Sequence, residues 1–215
     1  MKQRNILIKI CGLKDLDNIK DVSGLEPDFM GFILFKGSPR CTNLKFVEGL
    51  AAFVPAATMK VGVLVDEPLD NAIDIARSGI FDLLQLHGNE TTDYCMAISE
   101  FTGIIKAFRI SDDLPSDLGN YEPYCKMFLF DTGGKKFGGS GEKFDHSLLS
   151  GYSSGNDYLL SGGISPEDAE YIRSCNYKGM AGADLNSRFE SEPGIKDIHL
   201  LEHFIKKVRN NDGIN

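Results

Sequence analysis

Several chemical signatures are missing from this chain. The five cysteines (Cys11, Cys41, Cys95, Cys125 and Cys175) are odd in number and widely spread. None belongs to a C-x-x-C pair, which argues against a zinc ribbon, a redox motif or a disulfide framework. No apolar run approaches the roughly 20 residues of a membrane-spanning helix. Acidic residues outnumber basic ones, 31 to 23, for a net charge of -8. That balance opposes general binding to nucleic acid or an anionic membrane, where a basic footprint is expected. A small anionic ligand stays possible, because helix N-termini bind anions without net positive charge. No signal-peptide pattern precedes the first apolar stretch, so the cytoplasm is the expected compartment. No linker or shift in composition divides the 215 residues. A single domain over 1–215 is expected, with about 210–215 as a frayed tail.

What is present begins with Asn5–Gly12, NILIKICG. Read as a strand, its side chains alternate between faces. Ile6, Ile8 and Ile10 form one apolar face suited to packing beneath helices. The other face carries Lys9 and Cys11, with Cys11 at the carboxyl end, where the chemistry of parallel strands is usually found. A buried thiol acting as a small hydrophobe is the plain alternative.

Further strands are expected at Pro27–Phe35, Lys60–Asp66, Leu83–Gly88, Gly103–Ile110, Lys126–Thr132, Asp157–Gly163 and Gly179–Asp184. Helical spacing or capping signals separate them. Asp15–Gly24, Leu44–Phe53, Pro68–Gly79 and Glu90–Phe101 read as helices, followed by a short one near Asp113–Leu118. Asp145 can cap another, and Ser165-Pro166-Glu167-Asp168 has the form of a capping box with proline at N1. Ile195–Arg209 reads as the final amphipathic helix. Eight strand–helix alternations imply α/β architecture with a parallel sheet, closed as a (β/α)8 barrel with lean helices. An open doubly wound sheet ranks second, because no G-x-G-x-x-G follows the first strand.

The same alternation, applied strand by strand, places Lys9, Cys11, Gln85, His87, Lys106, Asp131 and Asp184 inside the barrel. Buried charges need partners, so a structural polar network accounts for part of this set. It does not account for Cys11, His87 and Asp131 all falling at strand carboxyl ends. Gly162-Gly163 after strand seven and Asn186-Ser187 after strand eight suit a phosphate group, the latter by opening a short extra helix. Arg40, in the loop after strand two, is a candidate for a second anionic group such as a carboxylate. Gly133–Lys143 is either a lid over the barrel mouth or a disordered connection; glycine content does not separate the two. His199 and His203 share a helical face but have no third ligand nearby, so no metal site is expected.

These segments resemble the phosphoribosylanthranilate isomerase family. The motifs are Lys9-Ile10-Cys11-Gly12, Gly31-Phe32 with Ser38-Pro39-Arg40, Val61-Gly62-Val63, Gln85-Leu86-His87-Gly88 and Asp131-Thr132. They continue with Gly138-Gly139-Ser140-Gly141, Phe144-Asp145, Ser161-Gly162-Gly163, Asp184 and Pro193-Gly194-Ile195-Lys196-Asp197. The resemblance covers essentially the whole chain. It implies a TIM barrel of the ribulose-phosphate-binding type that needs no cofactor and acts on a small phosphosugar, as a monomer or homodimer. The implied reaction is an Amadori rearrangement in tryptophan biosynthesis. By motif, Cys11 would be the general base and Asp131 the general acid. Arg40 would hold the anthranilate carboxylate, while Gly162, Gly163, Asn186 and Ser187 would hold the phosphate; Lys9, His87 and Asp184 would complete the pocket. Asn186-Ser187-Arg188 replaces the family's Ser-Ser-Gly run, and His146 stands where an aromatic often follows Phe-Asp. A different phosphosugar isomerase or epimerase on the same barrel ranks second, and the related histidine-pathway step would be expected to use a carboxylate where Cys11 stands. A silent phosphate-binding barrel would have no need of an intact Cys11 and Asp131.

Overall fold

The computed structural model describes residues 6–50, 52–132 and 144–209. The glycine-rich segment proposed above as a lid or connection, and the tail at 210–215, lie outside the described residues. Eight parallel strands close into a barrel in sequence order, the last pairing with the first. They are β1 (Leu7–Cys11), β2 (Phe29–Ile33), β3 (Met59–Leu64), β4 (Leu83–Leu86), β5 (Gly103–Ile110), β6 (Met127–Thr132), β7 (Tyr158–Leu160) and β8 (Met180–Leu185). Between and after them run α1 (Leu16–Ser23), α2 (Leu44–Glu48), α3 (Leu69–Arg77), α4 (Thr92–Ser99), α5 (Leu118–Tyr121), α6 (Ala169–Ser174) and α7 (Ile198–Val208). The fold is thus a TIM barrel with short helices.

Local chemistry sets several of these boundaries. Asp15 accepts from the Asn18 N–H to start α1, and Asp197 accepts from the Leu200 N–H to start α7. Such caps satisfy donors that the first helical turn leaves open. Ser165 and Asp168 form the expected capping box around Pro166. Asp145 caps a 3-10 turn, His146–Gly151.

The strands sort their side chains into two layers. Ile6, Ile8, Ile10, Leu84, Leu86, Phe128 and Phe130 pack outward in the large core beneath the helices. Phe29, Val61, Leu83, Ile105, Ala107, Leu129 and Leu159 form a smaller cluster inside the barrel. The polar inward residues cap that inner cluster toward the carboxyl ends, and this places the site.

Two expectations are corrected. Lys106 is not inward: Ile105 and Ala107 occupy the interior, so Lys106 lies on the helix-facing side. There its ammonium meets Glu90 Oε2 at 2.9 Å and the Gly88 carbonyl at 2.9 Å. Its charge is buried against a carboxylate from the β4–α4 loop, and strand phase rather than polarity determined its face. Ile195 and Lys196 are not helical either. They form β10 (Ile195–Lys196), antiparallel to β9 (Glu190–Glu192), with Gly194 in the left-handed region at φ 92°. The Asp197 cap delays the helix to Ile198. α5 also lies slightly later than expected, at Leu118–Tyr121.

Candidate active site

Cys11 ends β1 with 3% of its surface exposed. Gly31, opposite on β2, makes room for it: a Cβ there would lie 2.7 Å from Cys11 Sγ and 3.2 Å from Lys9 Nζ. Beneath the thiol, Lys9 Nζ donates to Asp184 Oδ1 at 2.8 Å, and Ser161 Oγ donates to Asp184 Oδ2 at 3.2 Å. Burial opposes the Lys9 ammonium, but Asp184 and Cys11 outweigh it and hold Lys9 above its ordinary value. Burial likewise pushes the Cys11 thiol up, and Lys9 pulls it back only in part. The thiol is therefore the resting form at neutral pH, and its thiolate is a strong base.

Asp131 is inward near the end of β6. Its Oδ1 accepts from the Thr132 N–H at 2.9 Å, while Oδ2 lies 3.2 Å from His87 Nε2 without the alignment of a hydrogen bond. Gln85 Nε2 lies 2.7 Å from His87 Nδ1. With the Gln85 amide as donor, the imidazole proton sits on Nε2, facing the carboxylate. One pocket at the barrel mouth is lined by Cys11, His87, Asp131, Asp184, the Gly162-Gly163 turn and Asn186-Ser187.

Gly162 and Gly163 have φ of 79° and 65°, which favours glycine. A Cβ on Gly162 would also lie 2.5 Å from the Thr132 backbone nitrogen, so the turn packs directly on the end of β6. Ser187–Phe189 forms the short extra helix expected after β8, here of the 3-10 type. Arg40 is already engaged. Its Nε and Nη2 reach Glu190 Oε2 at 3.0 and 2.6 Å, so Glu190 fixes the plane of the guanidinium. Glu190 also accepts from Lys196 Nζ at 2.8 Å, and Lys196 Nζ donates to Asn186 Oδ1 at 2.9 Å. Burial works against the charge on Glu190, but Arg40 and Lys196 prevail and hold it below the usual carboxylate range. Burial pushes Lys196 down, offset in part by Glu190.

Comparison with known proteins identifies the family. Residues 8–207 match the family described as N-(5'phosphoribosyl)anthranilate (PRA) isomerase. The N-(5'-phosphoribosyl)anthranilate isomerase of Parabacteroides distasonis is 40% identical over 207 residues, covering 94% of this chain and 93% of that protein. The chain belongs to the phosphoribosylanthranilate isomerase family. Among solved structures, the isomerase of Thermotoga maritima superposes with a TM-score of 0.82 at 31% identity, covering 96% of this chain and all (100%) of that one. A family structure in complex with reduced 1-(o-carboxyphenylamino)-1-deoxyribulose 5-phosphate gives a TM-score of 0.79 at 28% identity, with 96% and 100% covered.

Of the expected site residues, Cys11, His87, Asp131, Gly162, Gly163, Asp184, Asn186 and Ser187 line one pocket at the barrel mouth, while Lys9 is fully buried beneath it. Arg40 stands beside them behind Gly12, where a Cβ would meet Arg40 Cδ at 2.6 Å and Asn186 Oδ1 at 2.9 Å. Lys106 is excluded. It lines a separate cleft, between Gly88-Asn89-Glu90 and Arg109–Tyr121, that includes neither Cys11 nor Asp131. Glu190 and Lys196 are site-flanking residues that strand phase could not reveal, since their hairpin follows the last barrel strand. The sequence signal for them is the family motif Pro193-Gly194-Ile195-Lys196-Asp197, which by itself gives the lysine no role. Among the described residues, no cluster of three or more His, Cys, Asp or Glu is placed to hold a metal ion.

Proposed function

We propose that this chain converts N-(5-phosphoribosyl)anthranilate into 1-(2-carboxyphenylamino)-1-deoxyribulose 5-phosphate, a step of tryptophan biosynthesis. Asp131 is the general acid: it protonates the furanose ring oxygen as the nitrogen lone pair breaks the C1–O bond, leaving the open-chain protonated imine, which keeps its N–H. Cys11 is the general base: its thiolate takes the C2 proton to give the enolamine, which tautomerises to the ketone. The observation that carries this reading is the placement of Cys11 and Asp131. They line one pocket from the carboxyl ends of β1 and β6, strands far apart around the barrel. An acid and a base on opposite walls can serve opposite sides of a bound sugar. Gly162, Gly163, Asn186 and Ser187 hold the phosphate, and Arg40, held by Glu190 at its Nε–Nη2 edge, binds the anthranilate carboxylate through its remaining N–H groups.

Gln85 keeps His87 in the tautomer whose N–H faces Asp131, and Lys9, held by Asp184, favours the Cys11 thiolate. The enzyme works as one domain over residues 1–215, as a monomer or homodimer in the cytoplasm, without a cofactor. A homodimer has precedent in the dimeric isomerase of Thermotoga maritima.

The test follows the fluorescence decay of phosphoribosylanthranilate with wild type, Cys11→Ser and Asp131→Asn. Removing a positioned acid or base is expected to lower kcat by roughly 10²–10⁴-fold. Full activity in either variant refutes the assigned role, and an inactive wild type refutes the reaction.

A further inference from the structure

The cluster behind the pocket contains more charge than holding Arg40 requires. Glu190 is 4% exposed at its side chain and is surrounded by donors. Its Oε1 accepts from Arg40 Nε at 2.9 Å, Lys196 Nζ at 2.8 Å and the Gly194 N–H at 3.1 Å. Its Oε2 accepts from Arg40 Nε at 3.0 Å and Arg40 Nη2 at 2.6 Å. Lys196 is fully buried at its side chain, and its backbone is clamped on both sides by Asn18 of α1. The Lys196 N–H donates to Asn18 Oδ1 at 2.7 Å, and Asn18 Nδ2 donates to the Lys196 carbonyl at 2.8 Å. Such a clamp around one residue holds its ammonium in register with the loop after β8.

Two consequences follow from elementary chemistry. Arg40 and Lys196 bring two positive charges against the single negative charge of Glu190, so this trio keeps one positive charge in a poorly solvated place. A buried excess charge is costly unless an opposite charge arrives. Second, Lys196 holds Asn186 by its oxygen. An amide whose oxygen is bound by an ammonium offers its NH2 edge to the pocket, and an NH2 edge donates to anions.

Building on the reaction proposed above, we propose that Lys196 and Glu190 are positioning residues, forming one hub that serves both anionic ends of the substrate. Glu190 holds the Arg40 guanidinium by its Nε–Nη2 edge and leaves the Nη1 side for the carboxylate, and Lys196 sets the Asn186 amide as a donor to the phosphate. The β9–β10 hairpin is the element that brings them together. The charge excess of the hub is neutralised when the substrate brings in its carboxylate and phosphate, which favours substrate over fragments that carry one of the two groups.

The experiment titrates wild type, Lys196→Met, Lys196→Arg and Glu190→Gln with two probes, inorganic phosphate and anthranilate, by calorimetry. KM and kcat for phosphoribosylanthranilate are measured alongside. Lys196→Met is expected to weaken phosphate by about tenfold and anthranilate by less than about threefold, the scale of one charge-assisted hydrogen-bond contact. Its KM rises by more than its kcat falls, and Lys196→Arg, which keeps the charge, restores most of the phosphate affinity. Glu190→Gln puts an amide NH2 against the guanidinium and is expected to weaken anthranilate several-fold, with phosphate affinity held or raised. If Lys196→Met does not fold, Asn18→Ala loosens the same lysine from α1 and is expected to weaken phosphate alone by roughly threefold.

Equal loss of both probes in both variants overturns the hub. So does unchanged phosphate binding in Lys196→Met, or in Asn18→Ala when that variant carries the test. A wild type that binds neither probe overturns it too. The titrations do not depend on turnover. A crossed pattern in a protein that leaves phosphoribosylanthranilate unchanged therefore supports the hub and overturns the reaction.

Discussion

Adding one methyl group at Gly31 should disable catalysis while leaving the barrel folded. A Cβ at this position would lie 2.7 Å from Cys11 Sγ, 3.1 Å from Cys11 Cα and 3.2 Å from Lys9 Nζ. Carbon and sulfur do not approach much closer than their ordinary contact of about 3.5–4 Å, so Sγ must retreat by roughly 1 Å. Overpacking of this kind costs about 1–3 kcal/mol. For a domain of this size each kcal/mol lowers Tm by roughly 2–4 °C, so the variant melts roughly 2–12 °C early but stays folded. The geometric cost is larger in its consequence: a misplacement of about 1 Å at a reacting group can cost roughly 10²-fold in rate. The matched control is Gly62→Ala. A Cβ there would meet Phe81 Cδ2 at 2.8 Å and Leu84 Cδ2 at 2.9 Å, in the outer layer away from the pocket. Both variants are expected to lose similar stability in a thermal melt. Only Gly31→Ala should lose about two orders of magnitude in kcat/KM by fluorescence decay. Full activity in Gly31→Ala, or an equal loss in Gly62→Ala, refutes the placement of Cys11 as the reacting base.

Two further predictions concern the buried charges. Burial raises the Cys11 thiol above its ordinary value while Lys9 opposes that rise, so thiolate absorbance that is present in wild type and missing from Cys11→Ser should grow in only at pH above the ordinary thiol range of about 8.5. Lys9→Met should move that titration to still higher pH, as read from the same ultraviolet thiolate absorbance; an unmoved Cys11 titration sinks the coupling. Breaking the buried Lys106–Glu90 pair with Lys106→Met should cost roughly 3–5 kcal/mol, seen as a lower denaturation midpoint, because Glu90 is left charged and buried. At temperatures where the variant is folded its kcat/KM should stay near wild type. A catalytic defect without a stability defect would restore Lys106 to the site.

Strand phase was legible wherever a run alternated cleanly. Ile6, Ile8 and Ile10 against Lys9 and Cys11 assign both faces of β1 without any tertiary information, because a pleated strand has a fixed period of two. The same logic located Gln85, His87 and Asp131, and the turns at Gly162 and Asn186 were readable from their place after the last two strands. It failed at Lys106. Ile104, Ile105, Ala107 and Phe108 make the β5 run apolar on both faces, so its phase is not written in the pattern, and lysine polarity pointed the wrong way. It failed again at Ile195-Lys196, where proximity to an amphipathic run looked helical until the Asp197 cap and the Gly194 turn separated the two.

The sequence alone determined the eight barrel strands, most of the helices between them and the strand ends that carry Cys11 and Asp131, but not the β9–β10 hairpin. These depend on periodicity and capping, which are local properties of the chain. Only the tertiary structure decided which charges meet. Lys9 finds Asp184 175 positions away, and Arg40 finds Glu190 150 positions away. Pairings of that kind arise when the barrel closes β8 onto β1, and no local pattern encodes them. The thiol that opens the chain is aimed by its own strand, but the environment that tunes it comes from the far end of the sequence.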